Sequence, residues 1–405
     1  MFVHDINKNK SKNRKYDAYS TLTALNCVLK MFGLYCVSRD GKRFKWPFWR
    51  VAFTTTIFLV TNLVSIYLAI KNSKRTKAKF QDYFILIYML GYVQYVVDLL
   101  FVYKYGRQRC LDYYNTFENI DRVIGMPYYN EIKRSVTKIC FFFILIGSVY
   151  FISDYTALVL LYGWFISAVH SIDYIYTVIK ILSALDGIAH FIQVKFRLKR
   201  IGDVLQGYYN SVASLPGMKK DVISKTDSTT TVCLSNRWKL ELLDTIGYSR
   251  TKTILRLSKC YLLLLEQCDY VNGMFGFRVS DTITYSILHC CNYIYVPFHK
   301  SNLFTILLST AMKVVNYSSI LLCGIHCCER TYTQTDRILR CIDHLMANKV
   351  LSPESHEALK ELRELVISRP VRFSAVHFYT LDYPTMLAMG SAIVTYTIIL
   401  LQNMQ

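Results

Sequence analysis

Asp98, Asp154, His170, Asp173 and Lys180 stand in stretches that are otherwise apolar. A charged group surrounded by hydrocarbon is costly. Such residues therefore face a bundle interior or a wet cavity, where they mark ligand sites or ion paths or simply tie helices together. Aromatic residues crowd the same stretches: Tyr83, Tyr88, Tyr92, Tyr150, Tyr155, Trp164 and Tyr174. A cavity walled by rings and given a few polar groups takes a small organic molecule by stacking and hydrogen bonding. The candidate pocket is Tyr88, Tyr92, Asp154, Tyr155, Trp164, His170, Asp173 and Tyr174. The plainer alternative is a set of helix ties plus a belt of aromatic residues at a membrane interface.

Covalent chemistry has no carrier here. The sequence holds no glycine-rich phosphate loop, no His-Glu-x-x-His and no nucleophile elbow, so no enzyme activity and no cofactor are expected. Cys290-Cys291 and His326-Cys327-Cys328 lie in or beside apolar helices. Adjacent residues diverge around a helix, and paired-ligand spacing is missing, so no metal site is expected. The 13 cysteines form no regular framework, which points to small hydrophobes and not to disulfides.

The elements that must position these groups are membrane helices. With 53% hydrophobic residues in 405, the chain reads as an all-α, multi-pass membrane protein. Seven runs reach the about 20 apolar residues that a spanning helix needs: Pro47–Ile70, Tyr83–Tyr103, Ile139–Leu161, Trp164–Ile192, Phe277–Phe298, Leu303–Cys323 and Leu381–Leu401. The net charge of +20 sits mainly in the connections, so it encodes topology and not nucleic-acid binding. Lys and Arg dominate the N-terminal tail and the second, fourth and sixth loops, which places the N-terminus in the cytoplasm. The basic loop Lys71–Lys79 opposes that count. The N-terminal segment has no short apolar core and cleavage site, so no signal peptide is expected.

The inner segments are expected to be structured. Ser352 is a helix cap, Pro353 belongs in a first turn, and Glu354 suits the positive helix end. Ala358, Leu359, Leu362, Leu365 and Val366 recur at helical spacing up to Arg369-Pro370. Trp238, Leu242 and Ile246 share a face, and Leu255–Leu265 is strongly apolar with flanking bases. Because their polar faces mix both signs of charge, these helices are expected to pack together and not to lie on the lipid surface. The organisation is then 1–46 tail, 47–192 spans one to four, 193–276 inner helical loop, 277–323 spans five and six, 324–380 anchor helices and 381–405 the last span.

The last span carries a stripe at helical spacing: Thr395, Ile398, Ile399 and Gln402. Several copies around an axis would form a pore, with apolar rings as a dewetting constriction and an amide ring beyond it. Alternatively, Gln402 reaches the lipid headgroups or bonds a neighbouring helix.

The ending resembles the signature of the insect gustatory receptor family: Thr-Tyr, five hydrophobic residues, then Gln-Phe. This chain has Thr395-Tyr396, then Thr397 to Leu401, then Gln402, with Asn403 in place of Phe. The approach "FSAVHFYTLDYPTMLAMGSAIVTY" and the stretch "VNGMFGF" (Val271 to Phe277) are also similar to the family. The resemblance implies seven transmembrane helices with a cytoplasmic N-terminus and cytoplasmic helical extensions that form an anchor domain. It implies a homo- or heterotetramer with related subunits in the plasma membrane of sensory neurons, working as a tastant-gated cation channel. The pore-lining set carried over is Thr395, Ile398, Ile399, Gln402 and Asn403, and the partners are a small-molecule tastant and membrane lipid, with no nucleic acid. A G-protein-coupled receptor of opposite orientation and a multispan transporter remain the alternatives.

Overall fold

The computed structural model describes residues 18–32, 34, 38–40, 43–45, 79–106, 108–170, 172–213, 251–279, 303–347, 351–375 and 379–402, with helical positions interspersed between 49 and 67. A 3-10 turn, Ser20–Leu22, leads into α1, Thr23–Met31. Then come α2, Lys79–Gly106, α3, Gln108–Ile124, α4, Tyr129–His170, and α5, Ile172–Ala213. Residues 251–279 form α6. Helix α7 is Leu303–Met346, α8 is Pro353–Ser368 and α9 is Tyr383–Gln402. Two small antiparallel hairpins complete the described residues: β1 (Ser38–Asp40) with β2 (Arg43–Lys45), and β3 (Ser374–Ala375) with β4 (Tyr379–Thr380).

The second, third, sixth and seventh expected spans lie within or nearly coincide with α2, α4, α7 and α9. Beyond residue 279, the expected fifth span lies outside the described residues. So do the basic loop at 71–78 and the segment carrying Trp238, Leu242 and Ile246. The junction of spans three and four is placed by Gly163. Its φ of 79° and ψ of 169° break α4, a backbone that glycine adopts without a Cβ penalty. The stretch from Trp164 to His170 is a separate helical piece past that break, and the fourth long helix starts at Ile172.

Three stretches of the described residues are long and apolar enough to cross a membrane: Tyr129–Leu160, Tyr174–Asn210 and Ala311–Met346. The 42 residues of α5 rise about 63 Å and the 44 of α7 about 66 Å, roughly twice the hydrocarbon thickness. Both helices therefore run on as continuous rods past the apolar layer. Their far ends carry the charges: Arg197, Lys199, Arg200 and Asp203 on α5, and Arg330, Asp336, Arg337, Arg340 and Asp343 on α7.

Helix α5 is the centre of the molecule. It packs most extensively on α7 and also meets α1, α2, α3 and α4. From Tyr176 to Ile201 nearly every residue is buried, which is why its pattern shows no single apolar face. Helix α8 behaves as its sequence dictates. The Ser352 hydroxyl accepts the Ser355 N–H, Pro353 occupies the first turn, and Ala358, Leu359, Leu362 and Val366 are buried.

Candidate functional site

Asp154 of α4 is buried and joins three helices. Its Oδ1 accepts the Ser309 hydroxyl at 2.6 Å and lies 2.7 Å from Lys313 Nζ, both on α7. Its Oδ2 accepts the Tyr174 hydroxyl of α5 at 2.8 Å. The Tyr174 ring meets Phe151 at 5.0 Å and Tyr150 at 6.1 Å, and the Tyr155 ring meets Trp164 edge-on at 6.1 Å. One turn along the same helices, Thr177 Oγ1 lies 3.4 Å from the Tyr317 hydroxyl. Tyr317 also packs on Ile393 of α9. The ladder between α5 and α7 thus ends on the last helix.

Of the expected pocket residues, Asp154 pairs with Tyr174, and Tyr155 pairs with Trp164, which is 72% exposed. Tyr92 is half-buried on α2, beside Gly91, where an added Cβ would stand 3.2 Å from the Tyr176 ring. The side chains of Tyr88, His170 and Asp173 lie outside those described. Ser309 and Lys313 were not singled out by sequence reasoning. The available signal was a basic residue inside an apolar span, which needs a carboxylate close by.

A second polar web runs through the middle of the bundle. Arg278 of α6, buried, holds Asp98 of α2 at 3.0 Å and lies 3.9 Å from Asp186 of α5. Asp186 stands 3.6 Å from His190 Nε2, and the Tyr113 hydroxyl of α3 is 2.8 Å from His190 Nδ1. Asp98 is thereby a tie between helices. Arg278 falls one residue past the "VNGMFGF" stretch, and sequence reasoning did not pair it.

The third web secures the far end. Arg197 grips Asp121 with two bonds, Nε to Oδ1 at 2.9 Å and NH2 to Oδ2 at 2.7 Å, and its guanidinium lies 3.7 Å above the Phe117 ring. Tyr129 donates to the same carboxylate at 2.8 Å. Tyr128 donates to Asp203, which Arg337 also holds at 2.9 Å. Burial and the Asp203 carboxylate push the Tyr128 phenol up to about 12, so it stays a donor at neutral pH.

The base of α9 is built from three sequence stretches far apart in the chain. The Asn272 amide donates to Arg372 O at 3.0 Å and accepts the Ser374 N–H at 3.1 Å. The Tyr332 hydroxyl accepts the Phe373 N–H at 3.0 Å and reaches the carbonyls of Phe373 and Leu381. Asp382 caps α9 by accepting the Thr385 N–H at 3.0 Å, and Glu329 accepts the Tyr383 N–H at 2.9 Å. Above this base the helix is open. Leu387, Val394, Tyr396, Ile398 and Ile399 are exposed, as are Thr395 and Gln402. Its 20 residues rise about 30 Å, the thickness of the hydrocarbon layer. Asn403 lies outside the described residues.

Comparison with known proteins accounts for this architecture. The sequence model described as 7tm chemosensory receptor matches residues 22–403, so the chain belongs to the seven-transmembrane chemosensory receptor family. The fold is similar to that of the insect olfactory receptor OR5 from Machilis hrabei, with a TM-score of 0.62 at 11% identity over 94% of this chain and 97% of that one. The same receptor in complex with eugenol gives 0.63 at 10% identity, over the same shares of the two chains. No curated protein matches closely enough to count as a relative.

Proposed function

We propose that the chain is a gustatory receptor that works as a tastant-gated, non-selective cation channel, with α9 of four copies lining the pore. The observation that carries this reading is α9. It is fastened at its base by the hydrogen bonds of Asn272, Tyr332, Glu329 and Asp382, yet exposed along most of its length. Apolar rings of Ile398 and Ile399 would then gate by dewetting, and Gln402 would set an uncharged amide ring beyond them. An uncharged stripe favours weak discrimination among cations. The Thr395-Tyr396 to Gln402 signature favours a taste receptor over an olfactory one.

The tastant site is the ring-walled polar cluster of Asp154, Tyr155, Trp164 and Tyr174, completed by Ser309 and Lys313. OR5 takes eugenol, a small organic molecule, which supports a ligand of that size for this fold. A tastant opens the channel only if it binds the open arrangement better than the closed one. The route to the pore is Tyr317, which meets Thr177 on the site side and Ile393 on the pore helix. In this reading the α8 end is cytoplasmic and anchors the tetramer in the plasma membrane of sensory neurons. It includes the far halves of α5 and α7, which continue unbroken across 192/193 and 323/324.

Whole-cell recording from cells expressing this chain, with sugars and bitter compounds applied, tests the reading. A current that starts without second-messenger delay and changes in conductance with Gln402→Ala is the expected result. Ligand responses that require a G protein, from a chain whose N-terminus stains on intact cells, would overturn it.

A further inference from the structure

Asn316 of α7 is 0% exposed, and neither its Nδ2 nor its Oδ1 has a hydrogen-bond partner. An amide left in that state is expensive, because both its donor and its acceptor have lost water and gained nothing. It stands one turn beyond Lys313 and next to Tyr317, on the helix that supplies Ser309 and Lys313 to Asp154. Ser309, Lys313 and Asn316 recur at helical spacing along one stripe of α7, and on α5 Tyr174 and Thr177 already bond Asp154 and Tyr317. Asn316 is therefore the unfilled position of an otherwise bonded polar ladder.

We infer that this ladder reads a neutral, hydroxyl-rich tastant, a sugar or polyol, and that Asn316 is its specificity-determining residue. Three observations select that class. The unfilled group offers a donor nitrogen beside an acceptor oxygen, which neighbouring hydroxyls answer together because each both donates and accepts. The Asp154 carboxylate is already balanced by Lys313 at 2.7 Å, so a cationic ligand would have to displace that ammonium, and an anionic one would face the carboxylate. The next cation along α5, Lys180, is within electrostatic reach of Asp98 and so belongs to the other web. The rings of Tyr174, Tyr150 and Phe151 supply apolar faces for the C–H side of a sugar. In this structure the amide has no water-accessible surface, so the ligand must part α7 from the helices that cover it. That movement bears on Tyr317 and through it on Ile393.

The inference rests on the channel reading only for its route to the pore, and binding tests it separately. The full chain, purified into lipid nanodiscs, is heated with and without sucrose, fructose and myo-inositol, and in parallel with quinine and denatonium as cationic bitter probes. At least one of the neutral polyols is expected to raise Tm saturably at low concentration, below the range where excluded sugars stabilise any protein, and the cations are not. Asn316→Leu, which removes both unpaired atoms at similar size, is expected to leave the ligand-free Tm equal or higher. It should also weaken polyol binding by roughly tenfold to a hundredfold. Asn316→Gln, which keeps the amide, is expected to retain part of the binding. Stabilisation by the cations only, no stabilisation by any polyol, or unchanged polyol binding in Asn316→Leu would each overturn the inference. Polyol binding without any current would leave it standing and sink the channel reading. Current evoked by a cationic bitter compound alone would do the reverse.

Discussion

The far end of the bundle and the last helix are built by opposite rules. At the far end, polar groups close on one another within a single chain. Arg197 has two bonds to Asp121, Tyr129 adds a third contact to that carboxylate, and Asn272 and Tyr332 pin the strand hairpin. Along α9, apart from contacts such as Ile393 with Tyr317, many described side chains above the base are exposed, with Val394 and Tyr396 each 59% accessible. The first region is complete in one copy. The second is finished only by something outside it, whether lipid or other copies. Stability should therefore be concentrated at the far end, and any role in conduction at α9.

The sharpest way to break that contrast is Arg197→Ala. It strands a buried carboxylate and should cost about 3–5 kcal/mol, enough to remove most protein from the cell surface. Surface labelling checks it, and near-normal labelling would show that the far end is not where stability resides. Asn272→Ala should cost about 0.5–1.5 kcal/mol, because the Arg372 carbonyl and Ser374 N–H lose their shared partner at a site partly open to water. Thermal unfolding in nanodiscs reads that loss. Ser352→Ala removes one cap and should cost about 1 kcal/mol by the same assay. Val394→Ala, on the exposed face of α9, should shift stability by less than about 0.5 kcal/mol. A large loss there would mean that α9 is packed in the assembled protein more tightly than this chain alone requires. The Tyr128 phenol sharpens the picture at high pH. Its folded value is raised to about 12 from about 10, so its contribution is complete below about pH 10 and is lost as pH rises toward 12. A Tyr128→Phe variant should lack that part of the alkaline decline in thermal stability.

Much of the fold was legible because its signals are local. The α8 cap and first-turn proline, the apolar spacing from Ala358 to Val366, and the length of α9 each depend on residues within a few turns of one another. The junction at Gly163 was only roughly legible, since the apolar pattern continues across it and just one backbone angle marks the break. The candidate site was half legible. Asp154, Tyr155, Trp164 and Tyr174 stood out as polar and aromatic groups in spans, whereas Ser309, Lys313 and Asn316 did not. Their meaning lies in what faces them across α4 and α5.

By itself, then, the sequence determined a chain of apolar helices, the capped helix α8 and the Thr395-Tyr396 to Gln402 ending with its resemblance to a receptor signature. Period, cap and motif are properties of neighbouring residues. Only the tertiary structure decided that Asp98 meets Arg278, that Asp154 meets Lys313, that Asn272 clamps the hairpin before α9, and that Asn316 is left without a partner. Those pairings join residues far apart in the chain, and they follow from which faces of the helices the packing brings together.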